Sequence, residues 1–139
     1  MIIKTEHLNL STQGENDCLD ISSLVQQKLK TTGLKNGIVN INVCGSTAGL
    51  TTLEFEPGLI QDLGELMNRL IPKGPGYHHD EAWNDGNGHA HLRSAVVGAS
   101  LTLPFSDGKM VLGQWQQIVL VDFDNRPRQR KLVLQFLGE

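Results

Sequence analysis

Apolar and polar residues alternate strictly through several short segments. This period of two limits the chain to a fold built on half-buried strands. From Gly37 onward, Val39, Ile41 and Val43 face one way, while Asn40, Asn42 and Cys44 face the other. Leu50–Glu56 repeats the pattern, with Leu53 and Phe55 inward and Thr52, Glu54 and Glu56 outward. A sheet with one core face and one polar face is typically antiparallel. Ile2–Leu10 reads as another strand. Leu101–Phe105, Lys109–Leu112, Gln117–Asp124 and Gln129–Leu137 read as an antiparallel meander. Asp107-Gly108 supplies a hairpin turn, and Asn125-Arg126-Pro127 supplies a second turn.

Three stretches carry a helical period instead. Ile21, Leu24, Val25 and Leu29 form a stripe at 3.6-residue spacing that stops at Gly33, so a helix is expected over Ile21–Thr31. Pro57 opens a second, whose apolar face is Leu59, Leu63, Leu66, Met67 and Leu70. A third is expected over His89–Val97, with Asn87 as its N-cap and Gly98 behind its last turn. The fold class is therefore α+β: about seven mostly antiparallel strands packed with about three helices. At 139 residues the chain is read as a single domain, residues 1–139, large enough to bury a core without staples.

Charge and cysteine usage narrow the function. The net charge of −3 divides unevenly. The first 125 residues carry eight basic and fourteen acidic groups, while Arg126, Arg128, Arg130 and Lys131 face only Glu139 in the remainder. A sequence pI near 5.9 argues against general nucleic-acid binding but leaves room for a local anion site. No apolar run approaches the roughly 20 residues of a membrane helix. The N-terminus lacks the build of a secretory signal, so a cytoplasmic location is expected. Cys18 and Cys44 form no metal or redox motif and read as free thiols.

Four groups of residues have the chemistry of a site. Four of the five histidines fall within His78–His91, around the seventeen-residue aperiodic stretch Pro72–Gly88. Connectors that long are usually functional or disordered. His78, His79, Asp80, Glu81, Asp85, His89 and His91 offer imidazoles and carboxylates suited to a divalent metal such as zinc. On a helix His89 and His91 diverge by about 200°, so only one of them pairs easily with His78 or His79. The spacing matches no strong zinc motif, and a solvated polar loop is the alternative. Gly45-Ser46-Thr47-Ala48-Gly49 brings small residues between two strands, either as an anion nest or as a plain connection. Glu54 and Glu56 share a strand face, suited to magnesium or acid–base work, or simply to solvent. Arg128 and Arg130 share a face of the last strand, either gripping phosphate or protecting a sheet edge.

Several segments resemble the YjbQ family, UPF0047. Asp85-Gly86-Asn87-Gly88-His89-Ala90-His91-Leu92 and Gly98-Ala99-Ser100-Leu101-Thr102-Leu103-Pro104 carry the likeness. Gly108 followed by Gly113-Gln114-Trp115-Gln116 is similar to the family's glycine, four residues, then Gly-Thr-Trp-Gln. Asp122-Phe123-Asp124-Asn125-Arg126-Pro127-Arg128 and the final Gly138-Glu139 match as well. The likeness spans essentially the whole chain. Many bacterial members carry His-Thr-Thr-Ala-Ala-Leu-Thr and a nearby glutamate. Here Gly45 replaces that histidine, Glu54 matches the glutamate, and Gln114 replaces the signature threonine.

The resemblance implies a homotrimer and a metal-type site around the loop histidines. It also implies secondary thiamine-phosphate synthase activity, which joins a pyrimidine pyrophosphate to a thiazole phosphate and expels pyrophosphate. On that reading His78, His79, His89 and His91 are the metal ligands, with zinc or magnesium as the ion. His91, Glu54 and Asp85 serve catalysis, while Ser46, Thr47, Arg126 and Arg128 hold phosphate. A role played by the family histidine would be lost here or pass to His89 or Glu56. The partners expected are a small phosphorylated metabolite and further copies of the chain, not a membrane or nucleic acid. Two other classes compete: a different metal-dependent enzyme such as a hydrolase, and a non-catalytic metabolite-binding trimer.

Overall fold

The alternation resolves into two antiparallel sheets in a computed structural model that describes residues 1–139. Strands β1 (Ile2–Thr12), β3 (Gly37–Val43), β5 (Ser100–Ser106), β6 (Lys109–Met110) and β8 (Arg128–Gly138) form the larger, in the order β1-β8-β3-β5-β6. Strands β2 (Asp17–Asp20), β4 (Ala48–Leu53) and β7 (Gln117–Asp122) form the smaller, in the order β2-β7-β4. Helices α1 (Ser22–Thr32), α2 (Pro57–Leu70), α3 (His78–Trp83) and α4 (Gly88–Val97) complete the chain. The α+β class holds, with eight strands and four helices. No helix is long and apolar enough to cross a membrane.

One apolar cluster joins both sheets and α1. Leu8, Val39, Ile41, Leu132, Leu134 and Phe136 come from the larger sheet, Leu50, Ile118 and Leu120 from the smaller, and Val25 and Leu29 from α1. The α1 stripe is the one expected, and Gly33 ends the helix in the left-handed region at φ 75°. A second cluster lies on the other face of the smaller sheet, where Val119, Val121 and Phe123 meet Met67 of α2 and Ala90 of α4. Strand β7 is thus covered on both faces, which is why Ile118–Val121 is an unbroken apolar run.

Three local expectations are corrected. Strand β4 stops at Leu53, so Glu54 and Glu56 share no strand face. Glu56 instead caps α2, accepting from the backbone N–H of Gly58 at 2.8 Å and Leu59 at 2.7 Å. Those two bonds pull its carboxyl below the ordinary range. Pro72–Gly88 is not wholly irregular, because it contains the short helix α3. Strand β8 is no edge: it pairs with β1 on one side and β3 on the other. The pairing with β3 reaches only Leu132, so Arg128 and Arg130 lie where β8 is paired with β1 alone. They are engaged by Asp124 and Asp122 rather than left to guard an edge, and Arg130 lies in phase with buried Leu132, Leu134 and Phe136.

Candidate functional site

Helices α3 and α4 form the walls of a cavity of about 390 Å³ lined by Tyr77, His78, His79, Gly88, His91 and Leu92. Gly88 allows this close approach, since a Cβ there would stand 2.7 Å from Tyr77 Cβ. Asp80 accepts from the Gly88 N–H at 2.9 Å, which ties α3 to the first turn of α4. The Asp85 turn is held from below by Asn125, whose Nδ2 donates to the Asp85 carbonyl at 2.8 Å.

His79 lines this cavity. Its Nδ1 lies 3.5 Å from Asp80 Oδ1 and 3.4 Å from Asp85 Oδ1. That nitrogen is buried and has no hydrogen-bond partner. One ligand atom from each of His79, Asp80 and Asp85 lies within 4.8 Å of the others. The His91 ring sits beside His79, with centroids 4.4 Å apart at a 43° tilt. A buried imidazole nitrogen without a proton partner, beside two carboxylates, is a donor set that fits a divalent cation. His78 faces the cavity mouth, but its side chain is 97% exposed and its Nδ1 lies 3.5 Å from Glu81.

His89 does not join the group. The turn of α4 points it away from His91, into the protein beside Tyr77, with ring centroids 6.5 Å apart. It is 1% exposed, and neither ring nitrogen has a partner. Burial foremost, then the charges of Arg93 and Lys73, hold its pKa below the ordinary value, so it stays neutral. Arg93, one turn on, is buried without a carboxylate partner. Its Nε donates to the Ile71 carbonyl at 2.9 Å, its Nη1 to Asn16 at 2.8 Å and its Nη2 to Asn68 at 3.0 Å. It fastens α4 to the end of α2 and to the β1–β2 turn.

The anion-binding residues also rearrange. Arg126 is exposed in the turn before β8. Arg128 is engaged within the protein, with Nε 2.7 Å from Asp124 Oδ2. Thr47 is buried; it donates to Asp124 at 3.0 Å and accepts from Arg130 Nη2 at 2.7 Å. Arg130 also donates to both oxygens of Asp122, at 2.6 and 2.9 Å. Thr12 and Asn87 complete this network. Burial opposes charge on Asp124, yet hydrogen bonds from the Asn125 N–H, Arg128, Thr47 and Asn87 pull its pKa down to about 2. Ser46 is exposed and lines a second cavity of about 300 Å³ with Gly45, Ser94 and Gly98. His91 lines this cavity too, so it stands between the two. Glu54 is exposed and lines neither.

Asp122, Asp124 and Arg93 are not among the site residues expected from the sequence, and Arg130 is expected there only as a phosphate grip or an edge guard; one signal of the buried network is nevertheless present. Asp122 continues the phase of Ile118 and Leu120, and Arg130 that of Leu132 and Leu134. Opposite charges extending two facing apolar rows indicate a buried pair.

Comparison with known proteins agrees with this fold. A family model described as UPF0047 protein YjbQ-like matches residues 6–139. A UPF0047 protein of Archaeoglobus fulgidus is 35% identical over 130 residues, covering 94% of this chain and 98% of that protein. The UPF0047 protein YugU of Bacillus subtilis is 31% identical over 132 residues, covering 94% and 97%. The crystal structure of a hypothetical protein from Aeropyrum pernix superposes with a TM-score of 0.91 at 33% identity, covering 98% of this chain and 99% of the other. A YbjQ-like protein of unknown function from Sulfolobus solfataricus superposes with a TM-score of 0.88 at 31% identity, covering 99% and 100%.

Proposed function

The chain belongs to the YjbQ-like UPF0047 family, and from that premise we propose that it is an enzyme acting on a small phosphorylated metabolite at the α3–α4 cavity. The observation that carries this reading is the buried, unpartnered His79 Nδ1 with the carboxylates of Asp80 and Asp85 beside it. Residues His79, Asp80 and Asp85 would hold a zinc or magnesium ion. Three protein ligands with a cavity beside them match catalytic metal sites, which keep a position open. When bound, such an ion stabilises negative charge developing on phosphoryl oxygens.

The chain's own residues do the remaining work. Asp80 also ties α3 to the first turn of α4 by accepting from the Gly88 N–H, which fixes the helix that carries His79. His91 stands on the wall between the two cavities, where its imidazole gives or takes a proton from a bound ligand. The reaction we assign is the one the resemblance implies. A nitrogen of the thiazole phosphate attacks the methylene carbon of the pyrimidine pyrophosphate, the C–N bond forms, the C–O bond breaks, and pyrophosphate leaves. We assign the protein to the cytoplasm and to a homotrimer. Support for self-association comes from the outer face of the larger sheet. Ile3, Leu137, Ile38 and Pro104 form a cross-strand apolar row there, beside the uncharged row Thr5, Gln135, Asn40 and Thr102.

The test is direct. Tag-free protein loaded with zinc or magnesium, incubated with both phosphorylated substrates, is expected to release thiamine phosphate and pyrophosphate. The activity should fall in His91→Ala without loss of the fold. No product at high enzyme concentration, and no rescue of a thiamine-phosphate-synthase-deficient host, would replace the synthase with the metabolite-binding reading.

A further inference from the structure

Beside Gly45 and Ser46, which line the second cavity, lie hydrogen-bond donors that the protein itself leaves unused. Arg130 is 7% exposed. Its Nε and Nη2 are committed to Asp122 and Thr47. Its Nη1 has no partner in the protein. That nitrogen is aimed at Gly45, where a Cβ would stand only 2.9 Å away. Glycine therefore leaves open a path that any side chain at this position would close. The next two residues add further donors. Neither the Ser46 N–H nor the Thr47 N–H donates to another backbone group, and neither donates to a side chain. Thr47 is 4% exposed, so its N–H has little access to bulk water. The Ser46 hydroxyl is also free. The Gly45 N–H is not part of the set, because it donates to the Val43 carbonyl at 3.1 Å.

We propose that the Gly45–Thr47 loop and Arg130 Nη1 form a phosphoryl-binding subsite at the edge of the cavity that His91 also lines. The proposal deepens the functional reading above and rests on it for the substrate class. A guanidinium nitrogen, two consecutive backbone N–H groups and a hydroxyl present donors without a carboxylate among them. A phosphoryl group offers three acceptor oxygens to such a set. Arg126 and Arg128, the two expected from the resemblance to hold phosphate, are less suited. Arg128 is engaged by Asp124, and Arg126 stands in the exposed turn. Asp122 and Asp124 balance Arg128 and Arg130, so the cluster is neutral overall. Binding thus depends on fixed donors rather than on net positive charge, and its salt dependence is shallow.

Inorganic phosphate is the probe, titrated into EDTA-treated, ¹⁵N-labelled protein and followed by amide shifts and calorimetry. The expected result is saturable binding that moves the Ser46 and Thr47 amides. In Gly45→Ala the affinity drops by about tenfold, the loss of one charged hydrogen bond. Gly45 is not at positive φ, so alanine is compatible with its backbone. Ser46→Ala, which removes only the hydroxyl, is a second variant expected to weaken binding by a smaller factor. Equal affinity in Gly45→Ala, shifts confined to residues 79–85, or binding seen only when metal is restored would each overturn the subsite. EDTA treatment separates the two claims: a failed metal site leaves phosphate binding intact, and a failed subsite leaves the His79 cluster untouched.

Discussion

Replacing Asp124 by asparagine tests whether the buried ion network is a structural element of the site. Asp124 is fully buried, accepts from Arg128 and Thr47 on one oxygen, and accepts from Asn87 and the Asn125 N–H on the other. Its pKa falls from 3.8 to about 2, which corresponds to about 2 kcal/mol of stability at pH 7. The substituted amide would also turn a donor toward Arg128 and leave that cation without its partner. Breaking a buried pair costs about 3–5 kcal/mol, and the partial exposure of Arg128 places the loss near the low end. With an unfolding entropy of roughly 2 cal/mol/K per residue, about 3 kcal/mol lowers Tm by about 10 °C. The group's folded pKa is depressed, so its contribution is present above pH 3.8 and is lost as pH falls through about 2. The charge-dependent part of the difference between wild type and variant should therefore shrink to about 1 kcal/mol by pH 3. Thermal melts followed by circular dichroism at pH 7 and urea titrations down to pH 3 measure both quantities. A variant that melts within about 2 °C of wild type at pH 7 would refute the reasoning. So would a difference that does not change with pH.

Two further outcomes follow from the same chemistry. His89 is held neutral, with its folded pKa below the ordinary 6.5, so stability is complete above pH 6.5 and is lost as pH falls below it, by at most about 1.4 kcal/mol per pH unit. His89→Leu should remove that acid-side slope, and an unchanged slope in melts between pH 7.5 and 5.5 would show that another group causes it. Burial foremost, then the Asp17 charge, pushes the Cys18 thiol up to about 11. Alkylation at pH 8 should therefore find one fast thiol, exposed Cys44, while Cys18 carries about a thousandth of its population as thiolate; two fast thiols in the folded protein would contradict this.

Much of the fold is legible in the sequence because its elements follow simple periods. The alternation in β3 and the stripe in α1 are consequences of burying one face, and a single sequence records them. Strand β2 escapes such a reading because Asp17–Asp20 has four residues and a mixed pattern; it is defined by pairing with β7. Helix α3 escapes it for a related reason. Its six residues have no apolar face, and its place depends on the turn at Asn84 and the contact of Tyr77 with Gly88. Pro57 marks the start of α2, but an outward-facing strand glutamate and a helix-capping glutamate look alike until β4 is seen to stop at Leu53.

At the site, the divergence of His89 from His91 follows from helix geometry and is readable in advance. The grouping of His79 with Asp80 and Asp85 is not, because it depends on the fold of the loop. The arginines near the C-terminus show the limit most clearly. Their spacing places Arg128 and Arg130 on one face, but only the position of β8 between β1 and β3 shows which residues are buried there. That position turns a candidate phosphate grip at Arg126 and Arg128 into a network in which Arg130 has the free donor.

Metal content decides the central claim most directly. Tag-free protein is incubated with excess zinc, dialysed extensively against metal-free buffer and analysed by inductively coupled plasma mass spectrometry, beside His79→Ala and Asp85→Asn. The account predicts about one zinc per chain in the wild type, as a single three-ligand site implies, none in His79→Ala and a reduced amount in Asp85→Asn. Absence of zinc from the wild type, or equal zinc in wild type and His79→Ala, would contradict it.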